Sequence, residues 1–272
     1  MGSILPCCSP FGKAGGLQIL RFKFFSIIVP TFQEADNLKP LITGIAAVMG
    51  KVSLPYEVIV VDDDSKDKSS EIISELAKEG YPLRIITRIG RRGLSTAVLC
   101  GFHEARGDIL ACMDADLSHP PEALLRLLKV FEDTKVEFAI GSRYVPGAST
   151  AESWGLFRWV NSKLATLLAR PFTRVKDPMS GFFMLPRHVF ERARSLNPIG
   201  YKIALELIVK CSYPHIVEVP IYFENRKYGQ SKLNILEQLN YIKHLNRFSV
   251  FKLGNRLAVF KLANLFNVFN SA

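Results

Sequence analysis

The chain has 272 residues, 48% hydrophobic and 22% charged, an ordinary globular composition that excludes a disordered or low-complexity chain. Its formal net charge of +10 comes from 35 Lys+Arg against 25 Asp+Glu, a surplus of the kind that marks nucleic-acid or membrane-surface binding. Position argues against nucleic acid: residues 1–25 hold Lys13, Arg21 and Lys23 with no acid, and residues 238–272 hold Lys243, Arg247, Lys252, Arg256 and Lys261 with no acid. The excess sits in two tails around a nearly neutral middle, not on one face of a binding sheet.

Residues 1–23 are expected to form a poorly ordered leader. Pro6, Pro10 and Gly12 break its apolar stretches, which argues against a signal peptide. The five cysteines form no CxxC, as expected of a reduced compartment. From residue 24, strand-like apolar runs recur at Phe25–Pro30, Tyr56–Val61, Leu83–Thr87, Ile109–Met113 and Phe138–Gly141. Between them lie helical spacings: Leu38, Leu41, Ile42, Ile45; then Ile72, Ile73, Leu76; then Leu124, Leu127, Leu128, Phe131. Apolar strands alternating with amphipathic helices predict an α/β fold with a parallel sheet covered on both faces. Past residue 142 the spacing predicts a helix over 154–169, a strand at Phe182–Leu185, helices from Pro186 and over Lys202–Cys211, and a strand at Ile216–Phe223. A catalytic domain over 24–240 is expected, followed by a basic, apolar helical segment over 241–272 that would lie on a membrane interface. Nowhere do about 18 apolar residues run without charge, so no complete transmembrane helix is expected.

Ligands of such sheets bind beyond the carboxyl ends of the strands, and those ends carry the chemistry. The first runs into Pro30-Thr31-Phe32-Gln33-Glu34, where Thr31 or Asp36 could cap the next helix. The second ends in Asp62-Asp63-Asp64-Ser65-Lys66-Asp67, four carboxylates in six residues. These need cations, solvent, a helix N-terminus or a nucleoside's donors. The fourth ends in Asp114-Ala115-Asp116-Leu117-Ser118-His119-Pro120-Pro121. In extended backbone Asp114 and Asp116 point to one side. A hard divalent cation, Mg²⁺ or Mn²⁺, relieves such a pair and completes its shell with phosphate oxygens; capping of the helix near Pro120 is the competing explanation. Arg143 follows the fifth strand, and Arg226 and Lys232 flank a Gly-containing loop; both residue types bind phosphate. Arg91 and Arg92 open another helix, whose N-terminus could attract an anion; exposed surface is the plainer role.

These motifs, with Asp177-Pro-Met-Ser-Gly-Phe182 and Val219-Pro-Ile-Tyr-Phe-Glu224 in the same order, closely resemble the polyprenol-phosphate (dolichol-phosphate) mannosyltransferases of inverting glycosyltransferase family 2, over about residues 24–246. The resemblance implies the GT-A fold, a Rossmann-like nucleotide-diphospho-sugar transferase with a mostly parallel sheet. It implies transfer of mannose from GDP-mannose to a polyprenyl or dolichyl phosphate, with inversion. Pro30, Phe32, Glu34, Val61 and Asp63 match positions that hold the nucleoside. Asp114, Ala115 and Asp116 match the segment that binds metal and diphosphate. Ser118 matches a metal ligand that is Gln in some relatives and, being shorter, could act through water. Arg143, Arg226 and Lys232 match cations on donor or acceptor phosphates. The implied catalytic set is Asp116, Arg143 and, for orienting groups near the acceptor, Asp177 or Glu206. Implied partners are the membrane surface and a small membrane subunit, with the enzyme peripheral on a cytoplasmic face. Family members commonly carry Tyr-Asn where Phe32-Gln33 stand and Gly where Asp64 stands. Two alternatives stay open: a family 2 enzyme using UDP-glucose or another nucleotide sugar, and a non-catalytic nucleotide-sugar or membrane adaptor.

Overall fold

A computed structural model describes residues 21–151, 156–193, 196–211, 215–225 and 240–249. Five strands and their crossover helices alternate first: β1 (Phe25–Thr31), α1 (Ala35–Met49), β2 (Tyr56–Asp62), α2 (Ser69–Lys78), β3 (Leu83–Thr87), α3 (Leu94–Glu104), β4 (Ile109–Cys112), α4 (Ala123–Lys129) and β5 (Phe138–Ser142). There follow β6 (Ser149–Thr150), α5 (Leu156–Ala169), β7 (Phe183–Pro186), α6 (Arg187–Glu191), α7 (Ile203–Cys211), β8 (Ile216–Pro220) and β9 (Tyr222–Phe223).

The main sheet runs β3-β2-β1-β4-β7-β5-β8. The β1–β2, β1–β4, β2–β3 and β5–β8 pairs are parallel, while β7 lies antiparallel between β4 and β5. The sheet is therefore mostly parallel, as expected. The strand expected over Ile216–Phe223 divides: Pro220 closes β8 opposite Ser142, and Tyr222–Phe223 leave the sheet to pair with β6. That departure carries Phe223 over the end of β5.

Alternation along the strands makes two cores. On β1, Ile27 and Val29 pack under α1, α2 and α4, while Ile28 faces α3, α6 and α7. The second core centres on fully buried Phe102, which meets Phe183 and Phe190 edge to face at 6.1 and 5.2 Å. A ring buried this way contributes roughly 1.5–3 kcal/mol from apolar transfer. One polar cluster pins the opposite end of the sheet: buried Glu57 takes the Ser26 hydroxyl and the Arg106 backbone N–H, both at 2.8 Å. Burial works against that carboxylate's charge, but these donors outweigh it and hold its pKa below the ordinary value.

Residues 240–249 form a helix whose Tyr241, Leu245 and Phe248 pack with Ala169, Leu205 and Val209. The Tyr241 hydroxyl donates to the Ala165 carbonyl at 2.6 Å, and fully buried Glu206 of α7 meets His244 and, at 2.8 Å, Lys210. Residues 241–249, expected to open the C-terminal segment, are thus part of a helix docked on the body. Of the apolar positions read on α5, Leu164 and Leu168 are exposed, as is Leu167. Among the described residues no helix is long and apolar enough to cross a membrane.

Candidate active site

The carboxyl ends of β1, β2, β4 and β5 open on one cavity of about 350 Å³. Pro30, Phe32 and Glu34 reach it from β1, Asp63 from β2, Asp114, Ala115, Asp116 and Ser118 from β4, and Arg143 from β5. Nine of the expected site residues therefore share one space. Val61 does not line it; it is fully buried in the core beside Ile28 and Ala97. Arg226 and Lys232 lie outside the described residues.

The acidic run after β2 is resolved carboxylate by carboxylate. Asp62 accepts the Ser65 backbone N–H at 2.9 Å and the Ser65 hydroxyl. Asp63 accepts Arg88 Nε and the Gly93 backbone N–H, each at 2.7 Å. Asp64 pairs with Lys66 Nζ at 2.8 Å, and Asp67 accepts the Ser69 N–H at 2.9 Å in the first turn of α2. Two departures from the family pattern fall on left-handed backbone: Gln33 at φ 58° and Asp64 at φ 57°. Asp and Asn tolerate that conformation, which explains how Asp64 replaces a glycine; Gln33 is held there by its N–H donating to Ser65 Oγ at 2.8 Å.

Neither Thr31 nor Asp36 caps α1. Glu34 precedes the helix and its Oε2 accepts Asn37 Nδ2 at 2.6 Å. Nor does the Asp114–Asp116 segment cap α4, whose flanking residue is Glu122. Instead Asp116 Oδ1 accepts the Ser118 N–H at 3.1 Å, and the Asp114 N–H donates to Nδ1 of buried His119 at 3.3 Å. His119 stacks on Phe182 at 5.1 Å. Burial pushes its pKa down, against the pull of Asp114 and Asp116, so the ring is neutral and accepts at Nδ1. Ser118 Oγ is buried and has no hydrogen-bond partner. A Cβ on Gly181 would stand 2.7 Å from Asp114 Oδ1, so only glycine leaves room for that carboxylate.

Asp177 is fully buried and not at the cavity wall. It receives Arg143 at Nε, at Nη2 and at the backbone N–H, at 2.8, 2.8 and 2.9 Å. Glu218 supports the turn by accepting the Lys176 and Asp177 N–H groups at 2.8 and 3.0 Å. Burial opposes the Arg143 charge, but Asp177 overcomes it and raises the pKa. Asp177 therefore positions Arg143, which lies 5.2 Å from the Phe223 ring centre. Glu206, the other candidate for orienting an acceptor, is committed to His244 and Lys210.

The model of the family described as glycosyl transferase family 2 matches residues 26–194, which contain all these strand ends. The chain belongs to glycosyl transferase family 2. It is 44% identical over 238 residues to a dolichol-phosphate mannosyltransferase of Saccharomyces cerevisiae, covering 85% of this chain and 88% of that one. A protein of the same name from Pyrococcus furiosus is 44% identical over 227 residues, covering 82% and 62%. Among solved structures, mannosyl-3-phosphoglycerate synthase from Rubrobacter xylanophilus superposes with a TM-score of 0.62 at 18% identity, covering 82% and 73%. Glucosyl-3-phosphoglycerate synthase from Mycobacterium tuberculosis, in complex with Mn²⁺, UDP-glucose and phosphoglyceric acid, does so at 0.62 and 17%, covering 83% and 79%. At these identities the structures establish the GT-A fold. As a family 2 glycosyltransferase the chain is an enzyme, which sets aside the adaptor alternative.

Three residues at the cavity wall or directly behind it had little or no signal in the sequence: Gly181 and Arg92 line it, and buried Arg88 backs Asp63. Gly181 is visible only within a family motif. Arg88 is a lone cation after an apolar strand. Arg92, read as surface, has its guanidinium 4.3 Å from the Phe32 ring centre.

Proposed function

We propose that this enzyme transfers mannose from GDP-mannose to a polyprenyl or dolichyl phosphate, with inversion at the anomeric carbon. The observation that carries the reading is the juxtaposition of Asp114, Asp116 and Ser118 with Arg143 in one cavity whose other end is formed by Phe32, Glu34 and Asp63. The names of the relatives at 44% identity support the donor sugar and the lipid acceptor.

The reacting step is displacement. A phosphate oxygen of the lipid bonds to C1 of mannose, the bond from C1 to the diphosphate oxygen breaks, and GDP leaves with the electron pair. Negative charge grows on the diphosphate, so the protein must stabilise that charge. Arg143, kept ionised and aimed by Asp177, does so. The acceptor phosphate is already an anion, so no strong general base is needed; neutral His119 serves instead to fix the Asp114 backbone.

The residues fit a divalent ion. Among the described residues no cluster of three or more His, Cys, Asp or Glu forms a closed cage, but Mg²⁺ takes only one or two carboxylates and fills its shell with water and phosphate. Asp114 and Asp116 are those carboxylates, and the unpartnered Ser118 Oγ can receive a bound water. Mg²⁺ or Mn²⁺ supplies charge neutralisation of the diphosphate when bound.

The exposed Leu164, Leu167 and Leu168 on α5, at 52, 65 and 42%, support a peripheral position on a membrane, where the lipid acceptor resides. The basic, apolar segment over 241–272 and a small membrane subunit belong to the same proposal, as does the cytoplasmic face.

A thermal-shift panel in Mn²⁺ tests the donor. A ligand at 100 times its Kd stabilises the fold by about 2.7 kcal/mol, so GDP should raise the melting temperature and UDP should not. Stabilisation by UDP alone would replace this reading with the UDP-sugar alternative.

A further inference from the structure

Three basic residues stand between β3 and α3, and only one is both at the cavity and uncommitted to a buried partner. Arg88 is spent: it bonds Asp63, Thr96 Oγ1 at 2.9 Å and the Gly93 carbonyl at 3.0 Å. Arg91 does not line the cavity, whereas Arg92 does. The Arg92 guanidinium lies 4.3 Å from the Phe32 ring centre, a cation–π distance at which a planar guanidinium is held by the ring's electrons. Its mounting is firm. Gly93, at φ 138°, turns its N–H onto Asp63, and Arg88 ties the Gly93 carbonyl back to the same carboxylate.

Sheet order gives the location. Arg92 stands with Phe32 and Asp63 at the ends of β1 and β2, and β1 separates β2 from β4, which carries Asp114 and Asp116. Arg92 is thus on the nucleoside side of the cavity, away from the carboxylates that face a diphosphate.

We propose that Arg92 is the residue that selects the base, taking guanine through its O6 and N7. The inference rests on the nucleotide-sugar reading above and deepens it. An Arg fork matches the paired O6 and N7 acceptors of guanine with two parallel bonds. Adenine sets an amino donor beside N7, facing a side chain that has donors only. Uracil has no imidazole nitrogen and offers a single keto oxygen along the corresponding edge. The Phe32 ring, 4.3 Å away, holds the planar guanidinium in one orientation. Glu34, on the same wall, adds a carboxylate of the kind that suits the N1–H and amino donors of guanine and opposes adenine, which lacks them.

The test is a binding matrix with Mn²⁺ present: GDP, 7-deaza-GDP and UDP against the wild type, Arg92→Ala and Arg92→Lys. A bidentate Arg–guanine pair corresponds to about tenfold discrimination or more. The wild type should prefer GDP over UDP by that factor, and over 7-deaza-GDP, which keeps O6 and loses N7, by a smaller one. Arg92→Ala should bring the GDP to 7-deaza-GDP ratio close to one and sharply reduce the GDP to UDP ratio, leaving only the part that Glu34 supplies, and Arg92→Lys should keep more of the preference for GDP over UDP. Because Arg92 is exposed, both variants should melt with the wild type. If Arg92→Ala retains the wild-type ratios, the inference is overturned while the donor reading stands. If the wild type binds UDP and not GDP, the donor reading falls and takes this inference with it.

Discussion

Asp177 holds Arg143 by accepting three hydrogen bonds on one carboxylate, two from the guanidinium and one from the backbone N–H. The pair is almost dry: side-chain exposure is 11% for Arg143 and zero for Asp177. Two loops far apart in sequence, after β5 and before β7, are thereby locked at the end of the sheet where the cavity opens.

Removing one member of such a buried pair leaves the other charge uncompensated, at a cost of about 3–5 kcal/mol. Asp177→Asn keeps the shape and loses the charge, so both stability and turnover should fall. Loss of aim at Arg143 should lower kcat by roughly 10²-fold. A denaturant midpoint and kcat equal to those of the wild type would show that Arg143 needs no such support.

Gly181→Ala tests the Asp114 seat. The added methyl would stand 2.7 Å from Asp114 Oδ1 and 2.8 Å from Oδ2, so the carboxylate must swing. A displacement on that scale at a reacting centre costs about 10²-fold in rate. The expected signature is a raised metal requirement with little change in melting temperature. An unchanged Mn²⁺ dependence would remove Asp114 from the metal site.

Much of this site was legible in the sequence, and the remainder was hidden for definite reasons. The five alternating strands were visible because parallel strands buried on both faces read as continuous apolar runs. Asp114 and Asp116 were visible because paired carboxylates at an apolar strand end are costly without a cation. The antiparallel insertion of β7 was not, since four apolar residues pair equally well in either direction. Pairing was also hidden: Asp63 looked available to a ligand, yet it meets Arg88, 25 residues away, through the sheet order. Arg92 is exposed, as its sequence context implies, but nothing local shows that it stands over Phe32.

Glu206 gives a pH dependence. Burial raises its pKa, but His244, Lys210 and the Asn197 N–H lower it further, so the folded value is depressed. A depressed carboxylate stabilises the fold above its ordinary pKa, and that contribution disappears as pH falls through the folded value. The stability gap between the wild type and Glu206→Gln should therefore close on acidification through the folded value. A gap that widens in acid would contradict the linkage and the tie to helix 240–249.

Leu164, Leu167 and Leu168 are solvent-exposed, so replacing all three with Ser should leave stability within about 0.5 kcal/mol per site. Cosedimentation with anionic vesicles should nevertheless fall, because the apolar residues would insert among the acyl chains. Undiminished vesicle binding would assign membrane contact elsewhere.

The most direct measurement is mannolipid formation from radiolabelled GDP-mannose, Mn²⁺ and dolichyl phosphate, by the wild type and by Asp116→Ala. The wild type should move label into the organic phase as β-mannosyl phosphoryl dolichol, and Asp116→Ala should lose nearly all of that rate while keeping its fold. An α-linked product, or an undiminished rate in Asp116→Ala, would contradict the mechanism built on this cavity.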